Sequence, residues 1–219
     1  MKIALINENS QAPKNAMLFE ILKETAEPGG HEVFNYGRYS TEDPHERTYV
    51  QAGLLAGILL NAKAADFVIT GCGTGEGAML ACNSFPGVNC GLVAEPCDAI
   101  LFRRVNDGNA VSMPYAKGFG WGAELNVRNV FEQLFSTEGG AGYPKEWAKA
   151  EKKNKKILEK VQKVTYRDML TILKEIDQNF LKETLAEETF SDLFFNHCEK
   201  GEISGYIQSV LNGLDVSDR

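Results

Sequence analysis

The sequence predicts an α/β fold, a three-layer αβα sandwich on a five-stranded parallel sheet with a helical extension at the C-terminal end. Two observations predict it. Over the first two thirds of the 219 residues, strand-like and helix-like segments alternate with short connections, the pattern that makes right-handed βαβ units and covers a parallel sheet on both faces. After Phe135 the alternation stops. A glycine-rich linker, Ser136 to Pro144, leads into a stretch dominated by Lys, Glu and Ala and then into helical periodicity without strands.

Taken in order, Lys2 to Asn7 reads as a buried strand, Pro13 to Thr25 as an amphipathic helix stopped by Pro28-Gly29-Gly30, and Glu32 to Tyr36 as a second strand. Asp43-Pro44-His45 makes a polar loop. Tyr49 to Lys63 is a helix rich in Ala, Leu and Gly, Asp66 to Thr70 the third strand, Gly75 to Asn83 a helix, and Asn89 to Ala94 the fourth strand. Glu95 to Arg104 is helical, Ala110 to Met113 a short fifth strand, and Gly120 to Phe135 a long helix with an apolar stripe. These boundaries divide the chain into an α/β domain (1–138), a linker with a charged helix (139–163) and a helical extension (164–219). The extension is expected to hold two or three helices with Phe180, Leu181, Leu185, Phe190, Leu193 and Phe194 on their apolar faces, packed on the domain or on a neighbouring subunit.

Composition narrows the function classes. A net charge of −7 argues against a broad nucleic-acid surface and favours a small anionic metabolite as partner. The five cysteines form no CxxC pair and are odd in number, and the N-terminus enters a strand without a signal pattern. Reduced thiols, no zinc cluster and a cytoplasmic setting are the reading. No apolar stretch is long enough to span a bilayer.

The chemistry points to Gly71-Cys72-Gly73-Thr74-Gly75-Glu76-Gly77, between the third strand and the helix after it. Such a turn aims backbone N–H groups and a helix N-terminus at one small anion, a phosphate or a developing oxyanion. Cys72 stands at the strand end, where a thiolate shares those dipoles, and is a candidate nucleophile or base. The competing readings are tight packing geometry and a dinucleotide fingerprint formed by Gly73, Gly75 and Ala78 with Glu95 on the ribose. That match is weak, because a dinucleotide loop follows the first strand of its unit and this one follows the third.

Cys72-Gly73-Thr74-Gly75-Glu76-Gly77, followed by Ala81-Cys82-Asn83-Ser84-Phe85-Pro86-Gly87-Val88, resembles the CGTGxG…AANKxPG segment of the ribose-5-phosphate isomerase B and galactose-6-phosphate isomerase group. Glu95-Pro96 and then Leu101 to Asn109 resemble that group's EP…LSRxHNDxN segment at the same spacing. The resemblance covers about residues 1 to 140. It implies a Rossmann-like αβα sandwich, a homodimer or homotetramer with sites shared between subunits, and cofactor-free interconversion of an aldose phosphate and a ketose phosphate through a cis-enediolate. Cys72 would be the base between C1 and C2 and Thr74 the hydroxyl that passes protons between the substrate oxygens. The amides of Gly73, Gly75 and Gly77 would hold the enediolate. Asn106 matches an asparagine at the reacting end of the sugar, Arg103 a family arginine, and Glu8 an early aspartate that binds sugar hydroxyls. Glu76 ranks below Cys72 as an alternative base.

Departures from the pattern bear on the substrate. The ring-opening histidine before Asn106 is Val105, the phosphate-contacting histidine after Glu8 is Asn9, and the arginine-rich stretch after the last sheet helix is Gly140-Ala141-Gly142-Tyr143-Pro144-Lys145. Arg47, Lys145 and Lys149 are the available replacement cations. Loss of the histidine points to a substrate without a stable ring, such as a four-carbon sugar phosphate; another acid beside the ring oxygen, His45 or Glu76, would count against that reading. A non-catalytic sugar-phosphate-binding protein on the same fold is the second reading, and a nicotinamide-dependent oxidoreductase a distant third.

Overall fold

The structure is a computed structural model that describes residues 1–213; residues 214–219 of the expected extension lie outside the described residues. Five parallel strands, β1 (Lys2–Asn7), β2 (Glu32–Asn35), β3 (Phe67–Cys72), β4 (Cys90–Leu92) and β5 (Ala110–Pro114), form one sheet in the order β2-β1-β3-β5-β4. On one face lie α1 (Asn15–Ala26), α4 (Pro96–Leu101) and α5 (Ala123–Ser136). The other carries α2 (Tyr49–Asn61) and α3 (Glu76–Cys82). Alternation along the strands feeds the two layers: Ile3 and Leu5 enter the α1/α5 core, Ala4 and Ile6 the α2 core.

The first helix starts two residues later than its periodicity predicts. Glu8 caps a 3-10 turn over Asn9–Lys14 that contains Pro13, and the α-helix begins beyond it. Similarly, α4 is shorter than the helical stretch expected there and passes into a π turn, Phe102–Asn106, which ends at Asp107 with φ +48°. After α6 (Ala148–Thr165) the described residues of the extension hold four helices rather than two or three: α7 (Met169–Glu175), α8 (Gln178–Leu185), α9 (Glu188–His197) and α10 (Glu202–Asn212). Local capping causes the extra breaks. The Asp168 and Asp177 carboxylates accept the Thr171 and Phe180 amides and start new helices.

The extension covers α2. Leu173, Leu181, Leu185, Phe190 and Phe194 join the cluster that holds Leu54, Leu55, Ile58 and Leu59, so α2 is buried over ten consecutive residues, Gln51 to Leu60. A helix apolar on all sides needs cover on all sides. Here the sheet supplies one side and α7–α10 the other. Gly53 lets α2 touch α3: a Cβ there would lie 2.6 Å from the Ala81 Cβ and carbonyl carbon. Gly53→Ala is expected to destabilise the protein by about 1–3 kcal/mol through this overlap, read as a lower urea midpoint at unchanged m-value.

Candidate active site

The chain moves outward from β1 to β2 through α1, then returns over β1 to β3 through α2 on the opposite face. The β1/β3 boundary is therefore the point at which an open parallel sheet leaves a crevice at its carboxyl edge. Asn7 and Gly71 are the last paired residues there, with Glu8 and Cys72 next in each strand. Ala4, Ile6 and Val68 face the α2 layer, and Glu8 and Cys72 continue that alternation. A carboxylate and a thiol thus leave neighbouring strand ends on the same side. Cys72 is half-buried and Glu8 buried.

The loop after Cys72 is held by its carbonyls, which leaves its amides open. Tyr115 N–H donates to the Cys72 carbonyl (2.9 Å), and Ala116 and Lys117 N–H to that of Gly73 (3.0 and 2.9 Å). The buried Ser112 hydroxyl donates to the Gly75 carbonyl at 2.6 Å. Gly75 has φ +78°, and a Cβ there would meet Leu92 at 2.6 Å and the Met113 carbonyl carbon at 2.9 Å. Both space and backbone conformation require glycine. Thr74 Oγ1 accepts the Glu76 amide at 3.3 Å. Among the described residues, the N–H groups of Gly73, Thr74 and Gly75 have no acceptor. Gly77 lies against the Tyr49 ring at the start of α2, and Glu76 is exposed at the first position of α3.

Glu8 is oriented by its neighbours. Its carboxylate accepts the Ser10 amide (2.9 Å) and the Ser10 hydroxyl. Gln11 Nε2 donates to Ser10 Oγ (2.7 Å), and Lys14 Nζ to Gln11 Oε1 (2.7 Å), so a line of side chains runs from the half-exposed Lys14 to Glu8. Asn9 Oδ1 accepts both the Arg47 amide (2.6 Å) and Arg38 Nη1 (2.7 Å). Its Nδ2 has no acceptor among the described residues.

Glu8 and Asn9 on one side and Cys72 to Gly77 on the other therefore follow the adjacent carboxyl ends of β1 and β3. Two expected site residues do not join them within a chain. Asn106 and Arg103 belong to the π turn before β5, at the opposite edge of the sheet, whereas Cys72 pairs with Pro114 at the far end of that strand. The five residues of β5, roughly 15 Å of strand, run between those two ends. Val105 and Asn106 line a cavity of about 680 Å³ against β4 and α6. Arg103 is a structural clamp, with Nη1 3.7 Å from Asp107 Oδ1 and its guanidinium over the Phe67 ring. Nor do the three candidate cations meet the crevice as free charges. Arg47 is buried against Glu187, and Lys145 and Lys149 are exposed around the start of α6. His45 stays beside Asp43, Nδ1 3.6 Å from Oδ1.

Ser112, Arg38, Ser10 and Gln11 were not singled out from the sequence. Ser112 sits in an apolar strand, where an isolated hydroxyl signals a buried carbonyl in need of a donor.

Solved proteins of this shape include the type B ribose 5-phosphate isomerase of Trypanosoma brucei, which is 20% identical and covers 73% of this chain and 97% of its own with a TM-score of 0.62. A Ribose/Galactose Isomerase family model, together with a 48% identical ribose-5-phosphate isomerase structure, sets the class as sugar isomerases interconverting aldoses and ketoses. The chain belongs to the Ribose/Galactose Isomerase family, whose model matches residues 3–164, and a second model described as Ribose-5-phosphate isomerase matches residues 164–210. Two structures match nearly end to end. A 4-deoxy-L-threo-5-hexosulose-uronate ketol-isomerase complexed with a tartrate is 60% identical, covers 97% of this chain and 100% of its own, and has a TM-score of 0.95. A ribose-5-phosphate isomerase from Vibrio parahaemolyticus is 48% identical over 96% and 99%, with a TM-score of 0.93.

Replacing Ser112 by Ala removes one of two donors to the buried Gly75 carbonyl and leaves the Met79 N–H at 3.1 Å. We expect a loss of about 0.5–1.5 kcal/mol in chemical denaturation, together with a lower kcat from a loosened Cys72 loop.

Proposed function

We propose that this protein is a ketol-isomerase of an acyclic, carboxylate-bearing sugar of the 4-deoxy-L-threo-5-hexosulose-uronate kind. The observation that carries the reading is Val105 in place of a ring-opening histidine, in a chain 60% identical to an enzyme of that name. An aldehyde at C1 closes a furanose through a C4 hydroxyl or a pyranose through a C5 hydroxyl. This substrate lacks the first by deoxygenation and the second by oxidation. It needs no acid to open a ring, and valine suffices. A four-carbon sugar phosphate meets the ring condition equally, but Asn9 and the lost arginine-rich stretch leave its phosphate without ligands.

Catalysis follows from the crevice. Cys72, as thiolate, removes the proton from C2, and the electron pair of that C–H bond moves toward C1, turning the carbonyl into an enediolate oxygen. The open amides of Gly73, Thr74 and Gly75 offset the charge that develops there. The Thr74 hydroxyl passes a proton from the C2 oxygen to the C1 oxygen, and Cys72 returns its proton to C1, leaving the carbonyl at C2. Glu8 and Asn9 Nδ2 hold substrate hydroxyls. Asn106 reaches such a crevice only from a second copy of the chain, so the working unit is an oligomer with shared sites.

In deuterated water the wild-type protein should exchange substrate hydrogen at C1 and C2 with the deoxyhexosulose uronate well above ribose 5-phosphate or tetrose phosphates. Cys72→Ala should lower the rate by about 10²-fold or more. A preference for a phosphosugar would sink the substrate assignment, and no exchange with any of them would favour a binding protein.

Sharing of sites is tested separately. Mixed and reassociated Cys72→Ala and Asn106→Ala chains should regain about a quarter of wild-type activity, the yield of random pairing in a two-fold dimer. No recovery on proven subunit exchange would place Asn106 outside the site.

A further inference from the structure

Arg47 and Glu187 form an ion pair inside the protein. Their side chains are 4% and 6% exposed, Arg47 Nη2 lies 2.8 Å from Glu187 Oε2, and the residues are 140 positions apart. Each member of the pair has a further partner. Arg47 Nη1 donates to the Tyr36 carbonyl, and Glu187 Oε1 accepts the Thr189 hydroxyl at 2.8 Å. Gly37 closes over the pair, where a Cβ would come within 2.8 Å of Glu187 Oε2 and 3.0 Å of Arg47 Nη1.

The backbone of Arg47 is fastened to the crevice. Its N–H donates to Asn9 Oδ1 at 2.6 Å, and its carbonyl accepts the Asn9 N–H at 2.8 Å. On the same segment, Asn7 N–H donates to the Gly37 carbonyl (2.6 Å) and Arg38 N–H to the Asn7 carbonyl (3.0 Å). Residues 7–9, which bracket Glu8, are thus laced to residues 37–47. The next residue, Thr48, caps α2 with its hydroxyl on the Gln51 amide. Glu187 holds the guanidinium, the guanidinium holds the segment, and the segment holds Asn9 and Glu8.

We propose that Glu187 is a positioning residue of the active site, acting from the C-terminal extension through Arg47 and Asn9 to fix the Glu8 carboxylate. The inference rests on the function proposed above for Glu8. It gives the extension a part in substrate binding that covering α2 alone does not require. A lone buried guanidinium is unfavourable, so loss of Glu187 leads Arg47 to seek water and pull its segment from residues 7–9.

A double-mutant cycle in kcat/KM tests the link. Glu187→Gln should raise KM for the deoxyhexosulose uronate about tenfold in the wild-type background. In the Glu8→Ala background the same change should alter kcat/KM less than twofold, because the carboxylate it positions is gone. Equal losses in both backgrounds would make Glu187 merely structural and overturn the proposal.

Amide hydrogen exchange provides a readout independent of turnover. In Glu187→Gln the Asn9 and Arg47 amides should exchange at least ten times faster than in the wild type, with strands β3 and β5 unchanged. Unchanged protection at both positions would overturn the positioning link even if no substrate had been found, whereas lack of turnover in the wild type would count against the assigned function alone. Should Glu187→Gln not fold, Arg47→Met with Glu187→Leu removes both charges at similar volume. That variant should keep wild-type thermal stability while still showing fast exchange at Asn9; normal protection in it would refute the proposal.

Discussion

The approach of β5 to β3 at Gly71 sets the conditions for the rest of the site. A side chain at this position would overlap the Met113 carbonyl and the Tyr115 ring, so the two strands can run side by side to the carboxyl edge only with glycine there. Their closeness lets Tyr115 bind the Cys72 carbonyl and brings Ser112 beneath Gly75. Fixed carbonyls leave the loop's N–H groups pointing elsewhere, and those groups are what an enediolate needs. One missing Cβ therefore governs strand pairing, loop direction and the electrostatics of the crevice.

The chemistry proposed for the site is divided unevenly over the molecule. Proton transfer belongs to a rigid strand end, where a thiol is held between paired neighbours. Recognition of hydroxyls belongs to a 3-10 turn and a long connection whose order comes from side chains: Arg38 alone donates to Asn9 and to the carbonyls of Ser40, Thr41 and Asp43. Such a connection can change its contacts without moving the thiol. That arrangement suits a fold in which one isomerisation serves several sugars, as the two near full-length structures with different named activities illustrate.

Alternating strands and helices, and a cysteine inside a glycine loop, were legible because their causes are local. Strand periodicity, turn glycines and the Thr48–Gln51 capping box lie within a few residues of one another. The π turn that carries Arg103 and Asn106 was not legible, since helical propensity over Glu95 to Arg104 says nothing about register. It is this turn that removes those residues from Cys72 within a chain. Glu187 had no local signal at all, being an acidic residue in a helical, acidic stretch. A clue to the extension's packing was present, though. Tyr49 to Asn61 is apolar around its whole circumference, and a sheet can cover only one side of it.

The bond between Arg47 and Glu187 also orders events in time. At translation rates of about 5–20 residues per second, the 140 residues between them take roughly 7–28 seconds to emerge. Through that interval the thiol, its loop and the parallel sheet are all synthesised, while the guanidinium lacks its carboxylate and the outer side of α2 its cover. With the roles proposed for Cys72 and Glu187, the nascent chain carries its catalytic group long before it can hold a sugar firmly. Completion of the last helices then switches on recognition, and an incomplete chain is left with an apolar helix for the cell's quality control to find.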